Sequence, residues 1–358
     1  MKRAPREAAQ PAPQSPQRAQ IEEVSFIRDF QPTGVAVSST GRIFVNFPRW
    51  DPEHYCSVGE ITSDMTLRKY PDDEWNSWQK GKDAKDRFVC VQSVYVDKND
   101  YLWALDAGAP NFEKVVKDGP KLVKIATGNN KVSTVVYFDQ QIAPDGSYLN
   151  DVRIDPAGEY AYITDSGLGA IIVVNLVSGE KRRLLAKHYS VKALKGYAPV
   201  IGGREWRLDS GEVPQINADG IALSPDGSWL YYHALTARAL YRIRTEYLKD
   251  WSVAPQMVES KVEYVADTGA TDGMETDKGG NLYLTALEKN AVIRMDADGK
   301  VTTVAADDRL QWPDSICITP DGTLYVTTSQ IHLMPRFNNG VPRRTMPYRI
   351  FRLKIPEG

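Results

Sequence analysis

The chain contains little cysteine and little histidine, and it carries almost no net charge. Its 358 residues include 3 cysteines and 4 histidines, and 44 basic side chains balance 46 acidic ones, for a formal net charge of −2. Balanced charge provides no general attraction to nucleic acid or to an anionic membrane surface. We therefore expect no nucleic-acid partner.

The low cysteine count argues against a disulfide scaffold. Cys56, Cys90 and Cys317 form an odd, sparse set, and their spacing fits no zinc motif. One interpretation is a disulfide bridge between Cys56 and Cys90, because both residues lie in the same segment between two repeats. The alternative is three free, mostly buried thiols.

Long apolar runs are also missing. No stretch approaches the roughly 18 apolar residues of a membrane-spanning helix, so we expect no membrane insertion. Residues 1–20 are rich in Pro, Gln, Ala and Arg and lack the apolar core of an intact secretory signal. We interpret them as a disordered tail, with a trimmed export signal as the alternative, and we assign residues 21–358 to one domain.

A pattern of two alternating strands joined by a tight turn recurs along the chain. Each copy begins with a small or polar residue, and most of the turns contain glycine where a hairpin needs positive φ. The copies are PTGVAVSSTGRIFVNFPRW from Pro32, VQSVYVDKNDYLWALDAG from Val91, LNDVRIDPAGEYAYITDSG from Leu149, ADGIALSPDGSWLYYHAL from Ala218, TDGMETDKGGNLYLTAL from Thr271 and PDSICITPDGTLYVTTS from Pro313.

Six such units, several followed by a third or fourth strand, predict an all-β fold, a six-bladed β-propeller. The last unit is short of a fourth strand. Residues 22–30 could supply it by pairing with the strand that begins near Tyr348, and this closure would leave no exposed sheet edge. Two sheets packed as a sandwich are the alternative architecture.

One polar residue occupies the same position at the head of every repeat. These head residues are Thr33, Gln92, Asn150, Asp219, Asp272 and Asp314. The first strand of each propeller blade lines the central channel, so we expect the six side chains to converge at one mouth. Three carboxylates in close proximity must take up protons or bind a cation.

The oxygens of Asn150, Asp219, Asp272 and Asp314 suit a divalent metal, with Ca²⁺ first and Mg²⁺ or Mn²⁺ as alternatives. The competing interpretation is that these residues cap strands and bond turn amides. We expect no organic cofactor.

The ends of the second strands should surround the same mouth. They carry Arg49, Trp50, Asp106, Asp165, Ser166, His233, Glu288, Ser329 and His332. His233 and His332 are candidate acid–base groups. The alternative for each is a structural role, in which the histidine only makes a hydrogen bond within a loop.

Two long connections, residues 51–88 with Trp75 and Trp78 and residues 186–216, are expected to cover a pocket for an organic ligand. Packing on the ring surface is the other interpretation.

Several stretches resemble the yellow / major royal jelly protein family. GRIFVNFPRW at residues 41–50 and YLWALDAG at residues 101–108 are similar to signatures of that family, as are the blades at residues 160–176 and 220–248. The resemblance covers roughly residues 24–356 and implies a six-bladed propeller.

Some insect members are associated with dopachrome conversion, and others are nutritive or ligand-binding. Members are commonly secreted, which implies a secreted or periplasmic location, although this chain shows no intact signal peptide.

A more distant similarity connects the chain with gluconolactonase-like propellers. There a Glu, Asn and Asp set holds a divalent metal and an Asp acts in lactone opening. Asn150, Asp219, Asp272 and Asp314 occupy comparable positions in this chain, but Thr33 stands where the first-blade Glu would be.

The first functional hypothesis is an isomerase or tautomerase acting on a cyclic organic substrate. Its base would be Asp219, Asp272 or Asp314, and its acid would be His233 or His332. Arg49 would stabilise a developing enolate. The substrate-binding set is Thr33, Arg49, Trp50, Gln92, Asp106, Asp165 and Glu288.

The second hypothesis is metal-dependent hydrolysis of a lactone, and the third is a non-enzymatic propeller that binds a small molecule. In each case we expect a small organic partner and a monomeric chain.

Overall fold

Six antiparallel sheets of four strands each follow one another along the chain in the computed structural model, which describes residues 19–28 and 30–355. The strands of the first three blades, with the strand that precedes them, are β1 (Glu22–Ile27), β2 (Val35–Val37), β3 (Ile43–Asn46), β4 (Val58–Ile61), β5 (Leu67–Lys69), β6 (Val91–Val96), β7 (Tyr101–Asp106), β8 (Lys121–Ala126), β9 (Lys131–Tyr137), β10 (Leu149–Ile154), β11 (Tyr160–Asp165), β12 (Ala170–Asn175) and β13 (Lys181–Leu184).

The second half of the chain forms a small hairpin and the other three blades. Its strands are β14 (Val200–Ile201), β15 (Arg204–Glu205), β16 (Ala218–Leu223), β17 (Trp229–Ala234), β18 (Ala239–Arg244), β19 (Glu263–Asp267), β20 (Met274–Thr276), β21 (Leu282–Ala286), β22 (Ala291–Met295), β23 (Val301–Ala306), β24 (Pro313–Ile318), β25 (Thr323–Thr328) and β26 (Tyr348–Lys354). Two short helices, α1 (Thr245–Lys249) and α2 (Pro255–Glu259), separate β18 from β19. Short 3₁₀ turns occupy Pro110–Phe112, Tyr189–Val191, Leu287–Lys289, Ile331–Leu333 and Pro335–Phe337.

The predicted six-bladed propeller is confirmed, and the sandwich alternative is wrong. The blades are β2–β5, β6–β9, β10–β13, β16–β19, β20–β23 and, for the last, β24, β25, β26 and β1 in that order. Each inner hairpin turns through a residue with positive φ, namely Gly41, Asp100, Gly158, Gly227, Gly280 and Gly322. The spaces between neighbouring blades are filled with apolar side chains, for example Leu122, Ile163 and Ile172 between the second and third blades.

The ring closes as the sequence predicts. Strand β1 pairs antiparallel with β26, with Glu22 opposite Arg352 and Ile27 opposite Tyr348. An ion pair of 2.8 Å between Glu22 and Arg352 spans the same two strands. The pairing satisfies the outer edge of β26 with backbone hydrogen bonds, so the last blade has the same four strands as the others.

The predicted tail lies mostly outside the described residues, which begin at residue 19. Ala19 already belongs to the fold, because its backbone N–H donates to the carbonyl of Val304 over 2.8 Å.

All three cysteines are free, with Cys56 and Cys90 buried, so the predicted free thiols are confirmed and the Cys56–Cys90 bridge is not formed. Within the described ranges, no helix has the length and apolar character to cross a membrane.

The expectation that residues 51–88 form a long covering loop is wrong. This segment supplies β4 and β5, the outer strands of the first blade. Both strands are short, and they mix glycine and charged residues, so they show no alternation that the sequence could reveal. Glu60 on β4 joins them to the blade by ion pairs with Arg42 at 2.7 Å and Arg68 at 2.5 Å.

Candidate functional site

The six head residues all lie buried at one end of the inner strands. They are Thr33, Gln92, Asn150, Asp219, Asp272 and Asp314. Glycine follows two of the aspartates for a steric reason: a Cβ on Gly220 would overlap the carbonyl oxygen of Asp272, and one on Gly273 would overlap that of Asp314. Glycine therefore allows neighbouring inner strands to approach closely, which brings the three carboxyl groups together.

Hydrogen bonds connect these head residues to one another and to the surrounding wall. Asn150 donates its Nδ2 to Asp219 Oδ2 over 2.8 Å, and Trp312 donates its indole N–H to Asp272 Oδ2 over 2.7 Å. Asp219 and Asp272 also share a hydrogen bond. Asp314 Oδ2 has no partner among residues 19–28 and 30–355, so one oxygen of the cluster is left without a hydrogen bond.

Burial and mutual repulsion keep protons on this cluster. Burial is the main cause that raises the pKa of Asp219 and Asp314 well above the ordinary value, and the charge of Asp272 adds to both shifts. Burial also raises the pKa of Asp272, to about 7, although the hydrogen bonds from Trp312 and Asp219 favour its ionised form. At neutral pH the cluster therefore contains neutral carboxylic acids beside a partly ionised carboxylate.

The cluster forms the polar floor of a cavity of about 290 Å³ at this mouth of the channel, termed the axial cavity here. Gln92, Asn150, Ser166 and the three aspartates line it on the polar side. Its walls are largely aromatic, with Trp50, Phe112, Tyr148, Trp206, Trp312 and Phe337. Aromatic faces over a polar floor suit a small cyclic molecule with a few polar groups.

Three connections supply many of the wall residues. Residues 186–216 contribute Trp206, Leu208, Pro214, Gln215 and Ile216, as the sequence led us to expect. Residues 107–120 add Phe112, and residues 329–347 add Ile331, Met334, Arg336 and Phe337. The sequence did not indicate the 107–120 connection as part of the site, and of the 329–347 connection it indicated only Ser329 and His332.

Trp50 and Gln92 reach the axial cavity as predicted, and Tyr148 joins them. The Tyr148 hydroxyl donates to Gln92 Oε1 over 2.9 Å and accepts the indole N–H of Trp50 over 2.8 Å. Its ring stacks on Phe112 with 4.7 Å between the centroids. This chain of contacts fixes one wall of the cavity.

Asp106 and Asp165 hold loops and do not line the axial cavity. Asp106 accepts backbone N–H groups of Val89, Cys90 and Gly108 and pairs with the fully buried Lys121 at 3.3 Å. Asp165 has the same role one blade later. Its partners are the backbone N–H groups of Tyr148, Gly167 and Leu168, the hydroxyl of Ser147, and Arg183 at 2.6 Å.

Arg49, Glu288 and Thr33 also lie outside the cavity lining. The Arg49 guanidinium donates to the carbonyls of Val89 and Trp78 over 3.1 and 3.0 Å. Glu288 accepts from the Tyr197 hydroxyl and the Val200 N–H, and so ties the 186–216 connection to the fifth blade. Thr33 donates its hydroxyl to the carbonyl of Gln92 over 3.0 Å and joins the first two inner strands.

The two histidines are separated from the carboxyl cluster. His233 is fully buried and its Nδ1 lies 2.7 Å from the carbonyl of Ala234. His332 stacks on Trp312, with 5.9 Å between the ring centroids and 11° between the ring planes. Burial lowers the pKa of each histidine to about 4. Both are neutral at pH 7, and neither lines the axial cavity.

The predicted metal set lines the same cavity, but its arrangement does not fit a metal cage. Within the described ranges, no three His, Cys, Asp or Glu side chains are placed to hold a metal ion. Asn150 directs an N–H group at Asp219, and Asp219 and Asp272 are joined by a hydrogen bond. In this arrangement shared protons relieve the repulsion that a cation would otherwise have to relieve.

A larger cavity of about 340 Å³ opens at the opposite mouth of the channel, but the carboxyl groups that line it are already paired within the protein. Asp97, Asp155 and Asp277 accept backbone N–H groups of the hairpin turns. Arg153 lies 3.2 Å from Glu275 and 3.9 Å from Asp151. The axial cavity, with its unpartnered carboxyl oxygen, is therefore the better candidate site.

Comparison with known proteins assigns the family. The profile of the family described as "Major royal jelly protein" matches residues 89–358. The chain belongs to the major royal jelly protein family. Major royal jelly protein 6 of Apis mellifera is 27% identical over 235 residues, which are 63% of this chain and 48% of that relative. The match thus spans about half of the relative's length.

Three further matches concern lactonases and the propeller fold. The 6-deoxy-6-sulfogluconolactonase of Pseudomonas putida is 28% identical over 142 residues, covering 36% of this chain and 46% of that protein. The solved structure of regucalcin from Agrobacterium tumefaciens, described as a calcium-binding protein, gives a TM-score of 0.56 at 14% identity, over 93% of this chain and 94% of that one. The regucalcin match shows a shared fold. The expected likeness to gluconolactonase-like propellers is confirmed as a likeness of fold by the solved structure of a gluconolactonase from Xanthomonas campestris, with a TM-score of 0.57 at 12% identity over 94% of this chain and 90% of that one.

Proposed function

We propose that the protein is an acid–base enzyme that opens a small cyclic ester, a lactone, in the axial cavity. The observation that carries the proposal is the pairing of neutral and ionisable carboxyl groups on the floor of an aromatic cavity. General acid–base catalysis needs both forms within reach of one substrate. The similarity to a sulfogluconolactonase supports the choice of a lactone.

Two residues of the floor, Asp272 and Asp314, each have one step in this reaction. Asp272, with a pKa of about 7, takes a proton from a water molecule as the water oxygen attacks the ester carbonyl. The bond between the carbonyl carbon and the ring oxygen then breaks, and neutral Asp314 gives its proton to that ring oxygen. The product is an open-chain hydroxy acid, and proton exchange with solvent restores both carboxyl groups.

Arg336 takes the role that the sequence suggested for Arg49. It lines the axial cavity and lies 4.4 Å from the centre of the Phe112 ring. Among the described residues no carboxylate lies within ion-pair distance of its guanidinium, so it is available to stabilise the negative oxygen that forms on the attacked carbonyl. Isomerisation by proton transfer would use the same aspartates. We prefer lactone opening because a sequence relative bears a lactonase name.

A divalent cation at Asp219, Asp272 and Asp314 is the second candidate. The free oxygen of Asp314 and the fold shared with a calcium-binding protein favour it, whereas the shared proton and the donor geometry oppose it. No step above uses a cation. The family resemblance also leads us to propose a small organic partner, a monomeric chain and a secreted or periplasmic location.

The test is a hydrolysis assay with a panel of aldonolactones and aromatic lactones, in which the release of acid is measured. Asp272→Asn and Asp314→Asn should each lower kcat by about 100-fold or more. The matched control is Asp308→Asn, because Asp308 is exposed and its side chain has no hydrogen bond or ion pair among the described residues. A chelator should leave the rate unchanged. Tight ligand binding without turnover would instead identify a binding protein, and loss of the rate with chelator would identify the cation-dependent enzyme.

A further inference from the structure

A second cavity of about 300 Å³ lies beside the axial cavity and shares Trp206 and Phe337 with it. We term it the vestibule. Arg204 and Arg207 reach it from the β14–β15 hairpin and the residues that follow, and Arg343 and His332 reach it from the 329–347 connection. None of these four residues belongs to the chemistry proposed for the axial floor.

The vestibule carries an excess of positive charge. Three arginines line it together with one carboxylate, Glu205, which lies 2.7 Å from Arg207. The guanidinium groups of Arg204 and Arg343 form no hydrogen bond or ion pair within the described part of the chain. Two cationic groups without counter-ions therefore border the same cavity, which is the arrangement expected of an anion site.

Buried polar atoms without partners are a second, independent indication of a ligand. Trp206 is 5% exposed, and its indole N–H meets no acceptor among residues 19–28 and 30–355. His332 Nδ1 also lacks a partner in this part of the chain. Buried polar groups are almost always satisfied in native proteins, because an unmade hydrogen bond is costly. Both residues line the vestibule, so a ligand bound there lies beside two side chains that have unpartnered polar atoms.

We propose that the vestibule binds the oxyanion group of a small organic molecule, a carboxylate, sulfonate or phosphate. Arg204 and Arg343 supply positive charge in a planar, two-pronged geometry that matches oxyanions, and Trp206 supplies one hydrogen bond. The partly ionised Asp272 of the axial floor would repel such a group. An acidic ligand that enters this mouth therefore places its anionic end in the vestibule and its ring in the axial cavity.

Direct binding tests this site without any assay of turnover. Inorganic sulfate and inorganic phosphate would be titrated into the protein by calorimetry, with chloride adjusted to hold the ionic strength constant. We expect saturable binding to the wild type. Arg204→Ala combined with Arg343→Ala should weaken it at least tenfold, and Trp206→Phe, which keeps the ring but removes the N–H, by about tenfold.

The control is Arg244→Ala, which removes an exposed guanidinium that packs over Trp229, outside the vestibule lining. It should change the affinity less than twofold. The two arginines of the double variant are exposed, so we expect unchanged circular dichroism and the comparison holds even if Trp206→Phe folds poorly. No saturable binding to the wild type, or equal binding by the double variant, would overturn the proposal. Because no turnover is measured, this outcome is independent of whether lactones are hydrolysed.

Discussion

Trp312 donates its indole N–H to Asp272 over 2.7 Å while its ring stacks on His332. The tryptophan is fully buried, so it links the carboxyl floor of the axial cavity to the vestibule through one rigid side chain. The hydrogen bond favours the ionised form of Asp272, whereas burial opposes it. The protonation of the floor therefore depends on a residue of the wall.

Trp312→Phe should raise the pKa of Asp272 further. The variant keeps an aromatic ring beside His332 and removes only the donor that favours the carboxylate. The pH at which the rate of lactone opening reaches half its maximum should therefore move upward by about one unit, as measured from kcat against pH. An unchanged profile would show that the indole does not tune the base.

The raised pKa values predict that the protein loses stability as the pH rises. A carboxyl group whose pKa is about 7 in the folded state and about 4 in the unfolded state binds more protons when folded, so stability falls between about pH 4 and pH 7. Asp272→Asn removes the contribution of Asp272 to this dependence and should stabilise the protein at pH 7 by on the order of 1–2 kcal/mol relative to the wild type. Urea unfolding at pH 5 and pH 7 measures it. A variant whose free energy of unfolding falls between pH 5 and pH 7 as steeply as that of the wild type would contradict the account.

Added calcium should leave the melting temperature unchanged if protons hold the cluster together. In chelator, Asp219→Asn should melt at or above the wild-type temperature, because a neutral amide replaces a carboxyl group whose ionised form burial disfavours. Melting curves of both proteins with chelator and with excess Ca²⁺, Mg²⁺ or Mn²⁺ check this. A wild type that gains stability with metal, and a variant that does not, would establish the cation site instead.

Gly220→Ala should destabilise the fold strongly, by about 2 kcal/mol or more, because its Cβ would overlap the carbonyl oxygen of Asp272. The matched control is Gly128→Ala, where an added Cβ meets no atom within 4 Å. Chemical unfolding of both variants gives the comparison. Equal stability would mean that the inner strands can separate without cost, and that glycine is not what brings the aspartates together.

The blades could be predicted from the sequence because one pattern recurs six times. Repetition supplies the register, and the register alone is enough to place Asp219, Asp272 and Asp314 at one mouth of the channel. Strands β4 and β5 could not be found in the same way. They contain only four and three residues, and their sequences VGEI and LRK show no alternation of apolar and polar residues.

The walls of the site were harder to predict than its floor. Phe112, Tyr148, Met334 and Arg336 lie in or beside connections that differ from blade to blade, so no repeat marks them. The sequence suggested a substrate-binding role for Asp106 and Asp165, at the ends of second strands. In the structure they accept the backbone N–H groups of neighbouring loops instead. The short Asp-Ala-Gly and Asp-Ser-Gly sequences at these positions are the signal of that role.

The most direct test of the central claim is the protonation of the axial carboxyl groups at pH 7. Infrared spectra of the wild type, Asp219→Asn and Asp314→Asn would record the carbonyl stretch of neutral carboxylic acids, with Asp308→Asn as the control. The account predicts a neutral-acid band in the wild type that weakens in each axial variant and persists in the control. A wild type with no neutral-acid band at pH 7 would contradict it, because the floor would then hold no acid to protonate the leaving oxygen.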